Sequence, residues 1–200
     1  MPIRSGDRLD LSPIGAIFHV LRTGDDTNGK ALEMEWELAP HASGTPVHVH
    51  PRATESYDVV EGRLDVFIDG GWKTLSRGER ASVPPGVAHT FRNPDAAVSR
   101  VRNTHAPAMR FGEYFGTIHR IVESGYVAHD RMTLKGMLYL AAVMMRFKPE
   151  IISVRPPHFV IAATAVLAKI LGYDRRLEAE ILRPQSDVLS RREWDRESRQ

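Results

Sequence analysis

The sequence predicts a mainly β protein, an all-β sandwich or barrel that is followed by a C-terminal α-helical segment. Three observations support this prediction. Short alternating strands, separated by Gly, Pro and Asp turns, recur at roughly even spacing over the first hundred residues. Histidines and a glutamate, residue types that bind metals, lie in separate segments that only a closed β structure brings together. After Pro107 the apolar residues recur at spacings of three and four, which is the period of a helix.

The first predicted strands precede the histidine-bearing segments. Residues 14–21 are apolar and bounded by turns, as expected of a strand that is buried on both faces. Residues 31–38 alternate most regularly, with three glutamates on one face. Four apolar side chains share the other face: Leu32, Met34, Trp36 and Leu38. This strand is therefore expected to turn one face to the core and one to water.

Two short segments in the middle of the chain carry histidines. The first is His48-Val49-His50, and Glu55 follows after four further residues. Because side chains alternate along a strand, the two histidines point to the same side. The second segment is Pro84-Pro85-Gly86, followed by His89. Its Pro-Gly pair suits the central positions of a type II turn, which would begin a strand bearing the third histidine.

Further strands are predicted on either side of the second histidine segment. Asp69-Gly70-Gly71 suits a hairpin turn between strands at residues 63–68 and 72–75. Residues 97–104 form a last alternating stretch. Together these strands complete a β domain that we place at residues 1–107.

The order and spacing of the two histidine segments resemble the two signature motifs of the cupin superfamily. Gly62 follows Glu55 after six residues, and Asn93 follows His89 after three. The resemblance covers about residues 10–105 and is specific to the superfamily, not to a reaction. It implies a double-stranded β-helix, or jelly-roll, barrel.

The resemblance also implies a metal site inside that barrel. Its four ligands would be His48, His50, Glu55 and His89. They would hold one divalent transition metal, Fe, Mn, Ni, Co or Zn. The same four ligands complete a tetrahedral zinc site but leave two adjacent positions open in an octahedral one.

Other residues are candidates for roles around this site. Glu55 is expected to act as ligand, base or both, and Tyr57 follows it on the same strand face. Tyr57 is a candidate catalytic residue that donates a hydrogen bond to a bound oxygen; the alternative is a tyrosine that fills the barrel. His19 and Trp36 are candidates for the opposing wall. The remaining histidines are interpreted as surface or structural residues: His41, His105, His119, His129 and His158.

A helical extension is predicted at residues 108–183, followed by a charged tail at 184–200. Helices are expected over 111–124, from Thr133 to Met145, and from Pro157 to a stop at Gly172. The last two helices lack a wide polar face, so they need cover from the barrel, from each other or from a homodimer partner. Membrane-surface association or a gate for a hydrophobic ligand is the alternative. Their apolar runs of about ten residues are shorter than the roughly 18 to 20 that a transmembrane span needs.

Composition limits the function classes. The net charge of +2 provides no basic surplus of the kind that nucleic-acid binding requires. The sequence contains no cysteine, so a metal must be held by nitrogen and oxygen. The first ten residues have scattered charges and no apolar run, which favours a cytoplasmic location over secretion.

The resemblance leaves the reaction open, because cupins include dioxygenases, isomerases, decarboxylases, storage proteins and sugar-binding regulatory domains. Our leading hypothesis is a small metal-dependent enzyme, a dioxygenase-like oxidoreductase whose substrate is an apolar or aromatic small molecule. The alternative is a non-catalytic metal- or small-molecule-binding cupin that dimerises through its helices. A third possibility is a platform for lipid.

Overall fold

The computed structural model describes residues 3–128 and 131–182. The strands are β1 (Arg8–Leu11), β2 (Ala16–Arg22), β3 (Leu32–Leu38), β4 (His48–Val49), β5 (Thr54–Glu61), β6 (Arg63–Ile68), β7 (Gly71–Ser76), β8 (Arg80–Val83), β9 (His89–Arg92), β10 (Ser99–Ala106), β11 (Val127–Ala128), β12 (Arg131–Met132) and β13 (Ile152–Ser153). The α-helices are α1 (Phe111–Glu123), α2 (Leu134–Arg146), α3 (His158–Ile170) and α4 (Tyr173–Leu182).

Eleven of these strands form two antiparallel sheets. The six-stranded sheet has the order β1-β2-β3-β10-β5-β8, and the five-stranded sheet has the order β13-β4-β9-β6-β7. Strands that are distant in sequence, such as β3 and β10, are neighbours in space. The predicted mainly β fold with a C-terminal helical part is therefore confirmed.

The core lies between the two sheets, and β3 shows how the sequence builds it. Its four alternating apolar side chains are buried, whereas its three glutamates are partly exposed. Trp36 is central: its ring stacks on Phe18 at 4.7 Å between centroids and contacts Phe91 at 5.1 Å. Burial of both faces of residues 14–21 was a wrong prediction. Only Phe18 and Val20 are buried in β2, because the outer face of this sheet is turned towards solvent.

Both predicted turns are present. Asp69 and Gly70 join β6 to β7 with φ angles of 47° and 90°, the left-handed region that a tight hairpin requires. Gly86 has a φ of 78°, and the N–H of Val87 donates to the carbonyl of Pro84 at 3.3 Å. This second turn leads the chain into β9, which begins with His89.

The helices begin and end close to their predicted limits. The side chain of Thr133 accepts a hydrogen bond from the N–H of Gly136 and so caps α2. Helix α4 was not predicted, because Gly172 indicates a stop. Gly172 does adopt a φ of 76°, but a new helix starts at the next residue.

Part of the helical extension joins the barrel. Strand β13 pairs with β4, which places Ile152 opposite Val49 and Ser153 opposite His48. The backbone N–H of Val154 donates to the carbonyl of Val47 at 2.8 Å. Residues from the C-terminal third of the chain thus extend the sheet that carries the first histidine pair.

Helix α3 differs from the rest of the extension. It packs on α2 and α4, yet Ala168 is its one buried side chain. Phe159 and Ile170 are 73% and 76% exposed, and Val166 is exposed on the same side. We call the exposed apolar side chains of α3 the α3 face; the barrel leaves this face open to solvent.

Some predictions fall on residues 129, 130 and 183–200, which lie outside the described residues. They concern His129 and the charged tail at 184–200. Within the described part of the chain, each helix is too short or too polar to cross a membrane.

Candidate metal centre

The four residues that the sequence analysis selected as ligands lie together inside the barrel. His48, His50, Glu55 and His89 are at most 4% exposed, and one donor atom from each lies within 4.8 Å of the others. Pairing of β4 with β9 sets His48 directly opposite His89, and His50, the residue after β4, has its ring 4.8 Å from that of His48. Strand β5 brings Glu55 from the other sheet.

Each of the three imidazoles is oriented by a backbone carbonyl. The Nδ1 atoms lie at hydrogen-bond distance from carbonyl oxygens, in the pairs His48–Pro46 at 2.9 Å, His50–Glu150 at 2.7 Å and His89–Val87 at 2.8 Å. A carbonyl only accepts, so each Nδ1 carries the proton. In the neutral ring Nε2 then carries no proton, and its lone pair is free to bind a metal.

The Nε2 atoms converge on one oxygen of Glu55. Its Oε2 lies 2.8 Å from Nε2 of both His50 and His89, and 3.9 Å from Nε2 of His48. Unprotonated nitrogens and a carboxylate oxygen repel one another unless a proton or a cation lies between them. This donor set fits a divalent transition metal, for which imidazole and carboxylate are suitable ligands. The four residues can therefore hold a metal ion.

The charge states of the cluster also suit a metal. Burial, together with the neighbouring imidazoles, lowers the pKa of His48 well below its usual value. Burial alone would raise the pKa of Glu55, but the surrounding imidazoles outweigh it and lower the pKa well below its usual value. Burial likewise opposes protonation of His89, yet the hydrogen bond and charge of Glu55 leave its pKa raised, so a metal would have to displace a proton there. The carboxylate is therefore ionised at neutral pH, ready to bind a cation.

A cavity of about 70 Å³ adjoins the cluster. Its walls are mainly apolar and come from both the barrel and the extension: Phe18, Trp36, Phe91, Tyr114, Phe115 and Ile118. Trp36 lines the cavity, as predicted. His19 does not, because its side chain points outwards and lies 2.9 Å from the carboxylate of Glu37.

Tyr57 follows Glu55 on the same face of β5 but lies deeper in the barrel. It is fully buried, packs against Trp36 and Phe91, and is absent from the residues that line the cavity. Its hydroxyl has no hydrogen-bond partner among the described residues. Burial and the charge of Glu55 raise the pKa of Tyr57 well above its usual value, so the hydroxyl stays protonated. Tyr57 can thus donate a hydrogen bond, but it is a poor base.

Two residues near the cluster were missed by the sequence analysis. His105, interpreted as surface or structural, is 1% exposed, lines the cavity and lies opposite Glu55 in the pairing of β10 with β5. Burial lowers its pKa to about 3. Asn103, two residues earlier on the same face, donates from Nδ2 to Oε1 of Glu55 at 2.7 Å. The predicted strand ended at residue 104, one residue before His105, and extending its alternation would have found both.

Comparisons with known proteins agree with this architecture. The cupin domain family model matches residues 34–102. Quercetin 2,3-dioxygenase from Bacillus subtilis (strain 168) is 30% identical over 69 residues, which cover 32% of this chain and 20% of that protein. The HTH-type transcriptional regulator SutR from Escherichia coli (strain K12) is 37% identical over 57 residues, which are 28% of each protein. The chain thus spans less than a third of the length of these relatives.

Solved structures are similar over the barrel. An RmlC-like cupin from Shewanella frigidimarina has a TM-score of 0.45 and 26% identity, over 53% of this chain and 87% of that one. A predicted oxalate decarboxylase from Thermotoga maritima has a TM-score of 0.46 and 19% identity, over 54% of this chain and 99% of that one.

The family match, the order of the strands and the internal cluster of three histidines and a glutamate define a β-barrel protein with a potential metal site. Residues 34–102 of the chain are thus similar to the cupin domain family, and a helical C-terminal part follows the matched residues.

Proposed function

We propose that the chain is a small metal-dependent enzyme, a dioxygenase-like oxidoreductase that acts on an apolar small molecule. The observation that carries this proposal is the buried His48, His50, Glu55 and His89 cluster, which adjoins a mainly apolar cavity. When bound, Fe(II) or Mn(II) would supply Lewis-acid or redox chemistry. The relative named quercetin 2,3-dioxygenase supports the same reaction class.

The ligand set favours catalysis over a purely structural site if the metal is octahedral. Four ligands leave two adjacent positions for substrate and a second small molecule in such a site, but none in a tetrahedral one. Glu55 would hold the metal through Oε2, the oxygen that faces the imidazoles. Tyr57 remains a candidate hydrogen-bond donor within the barrel.

The cavity limits the substrate. It has room for only a handful of water molecules, since one water needs at least about 10–15 Å³. Among the described residues its lining includes no lysine or arginine, so apart from the metal a charged substrate would find no side chain of opposite charge there. We therefore propose a small, uncharged, apolar substrate. An aromatic substrate would require α1, which supplies Tyr114, Phe115 and Ile118, to move outwards.

Metal content measured together with oxygen consumption tests this proposal. We expect purified protein to hold one redox-active metal per chain and to consume O₂ when small apolar substrates or catechols are added. His48→Ala, His50→Ala and His89→Ala should lose the metal, whereas His19→Ala should keep it, because His19 lies outside the cluster. Tightly held zinc without an exchangeable water, or full metal content in the three cluster variants, would overturn the proposal.

A second candidate function rests on the α3 face. Its exposed apolar side chains favour a non-catalytic metal- or small-molecule-binding cupin that forms a homodimer through its helices. The similar segment in a relative named as a transcriptional regulator supports a non-catalytic role. We propose a cytoplasmic location and a small-molecule partner for either function.

Sedimentation velocity distinguishes the role of the helices. We expect the parent chain to sediment as a dimer and Val166→Glu to sediment as a monomer. Lys169→Glu introduces the same side chain elsewhere on α3 and should leave the dimer intact. A monomeric parent at all concentrations would rule out helix-mediated dimerisation.

A further inference from the structure

We propose that Asn103 and His105 are positioning residues that hold Glu55 so that it offers a single oxygen to the metal. This inference rests on the metal centre of the proposed function and goes beyond its four ligands. Neither residue belongs to the two histidine-bearing segments. Both lie on β10 and approach Oε1 of Glu55, and the ring of His105 also contacts the ring of His50 at 5.0 Å between centroids.

The two oxygens of Glu55 have separate surroundings. Oε2 faces the imidazoles of the cluster, at 2.8 Å from the two nearest Nε2 atoms. Oε1 accepts a hydrogen bond from Nδ2 of Asn103 at 2.7 Å, and Nε2 of His105 lies 3.5 Å away. All three side chains are at most 2% exposed. Bulk solvent therefore does not reach Oε1.

The strand register places both residues. Strand β10 pairs with β5, which sets His105 opposite Glu55 and Asn103 opposite Tyr57, the next residue on that face. The ring of His105 is packed against Phe111 of α1, at 4.2 Å between centroids. Helix α1 thus packs against the ring of His105 and limits its movement away from the carboxylate.

A purely structural role does not explain these two side chains. Oδ1 of Asn103 and Nδ1 of His105 are buried and have no hydrogen-bond partner among the described residues. Buried polar atoms without partners destabilise a fold, so apolar residues would serve the core better at both positions. What the side chains do provide is an amide that donates to Oε1 at 2.7 Å and to the carbonyl of Ser56 at 3.4 Å, and a ring beside Oε1.

Holding Oε1 has a chemical consequence. A carboxylate that binds through both oxygens occupies two coordination positions, whereas one that binds through Oε2 alone occupies one. A hydrogen bond from Asn103 engages the lone pairs of Oε1 and so opposes two-point binding. On a six-coordinate metal, the four ligands would then fill four positions and leave two for substrate.

Full-length variants loaded with Co(II) test the proposal. Asn103→Leu removes the amide donor, and His105→Phe keeps the ring shape without nitrogen, whereas His105→Gln keeps an N–H. Ser56→Ala is the matched control, because this buried neighbour of Glu55 bonds to Ser82 at 2.9 Å, away from the cluster. The readouts are Co(II) affinity, azide affinity from the visible spectrum, and the infrared stretches of the bound carboxylate.

We expect Asn103→Leu to weaken Co(II) binding by about 10- to 100-fold. Azide should bind more weakly to its Co(II) form, and the carboxylate stretches should move closer together as Glu55 becomes bidentate. His105→Phe should change in the same direction and His105→Gln should recover towards the parent. Ser56→Ala should match the parent in all three measurements.

The outcomes separate this proposal from the proposed function. If the parent binds no Co(II), the metal centre itself fails and takes the positioning role with it. If the parent binds Co(II) but Asn103→Leu and His105→Phe match it in all three measurements, the positioning role is overturned and the metal centre stands. If circular dichroism shows that Asn103→Leu does not fold, the comparison of His105→Phe with His105→Gln decides.

Discussion

Strand β3 and helix α3 are both rich in apolar residues, but those of β3 are buried and most of those of α3 are not. Every second side chain of β3 is buried in the barrel, and its polar alternates face outwards. Helix α3 buries only Ala168 and exposes Phe159, Val166 and Ile170. Strand β3 has one polar face, which contacts water, and one apolar face, which the core covers. Helix α3 has almost no polar face, so a single copy of the chain leaves apolar surface in water.

The part of the chain that builds the barrel and the cavity is not limited to the strands. Helix α1 walls the cavity, β13 extends a barrel sheet, and the carbonyl of Glu150 orients His50. The first part of the extension is therefore built into the site. The α3 face lies beyond that point and contributes nothing to the cluster.

The largest expected effect is a difference between β3 and α3 in how a substitution changes the free energy of unfolding. Trp36→Ala should lower the free energy of unfolding by about 3–5 kcal/mol, because it leaves a cavity between Phe18 and Phe91. Phe159→Ala should change it by about 0.5 kcal/mol or less in dilute solution, where that ring is exposed. Urea unfolding at low protein concentration measures both. A comparable loss for Phe159→Ala under those conditions would mean that this ring is covered within one chain.

Metal removal should act on the barrel alone. With free metal at 100 times its dissociation constant, binding stabilises the folded chain by about 2.7 kcal/mol, and EDTA should abolish that gain. His89→Ala should show no difference between metal and EDTA, because it lacks a ligand. Val166→Glu on the α3 face should keep the full metal-dependent gain. Equal gains in the parent and His89→Ala would contradict the site.

The unfolding free energy of the metal-free chain should fall in acid, partly because of His105. Its folded pKa of about 3 lies below the usual 6.5, so between these values the unfolded chain binds a proton that the folded chain does not. This stability is present above pH 6.5 and declines as the pH falls towards 3, by about 1.4 kcal/mol per pH unit. His105→Gln should show a shallower slope than the parent in urea titrations. An unchanged slope would contradict a neutral, buried His105.

The smallest expected change in the free energy of unfolding comes from a variant that tests whether the extension unfolds together with the barrel. Thr133→Ala removes the N-terminal cap of α2 and should cost about 1 kcal/mol. Because β13 ties the extension to β4, near-ultraviolet and far-ultraviolet circular dichroism should report one shared transition for this variant. Two separate transitions would show that the helices unfold independently of the barrel.

Local patterns predicted much of this molecule. The period-two alternation of β3, the turns at Asp69-Gly70 and Pro85-Gly86, and the helix limits all depend on neighbouring residues. The convergence of His48, His50, Glu55 and His89 followed from spacing and from the resemblance to cupins. Such signals are readable in a sequence because the residues that produce them are close together or belong to a known motif.

What the sequence analysis missed depends on contacts between distant segments. The carbonyl of Glu150 bonds to His50 across 100 residues, and a backbone oxygen has no residue type to reveal it. Strand β13 has two residues, too few to show an alternation. His19 lies between Phe18 and Val20, which take the buried face of β2 and leave His19 on the outer face. His105 was missed because the predicted strand ended at residue 104, one residue too early.

The bond between the Glu150 carbonyl and His50 also bears on biosynthesis. On the ribosome, every residue of the ligand set has emerged long before residue 150 does. Until then the imidazole of His50 lacks the acceptor that fixes its proton, and β4 lacks one of its neighbouring strands. A nascent chain shorter than 150 residues therefore has all four candidate ligands but not the bond that orients His50.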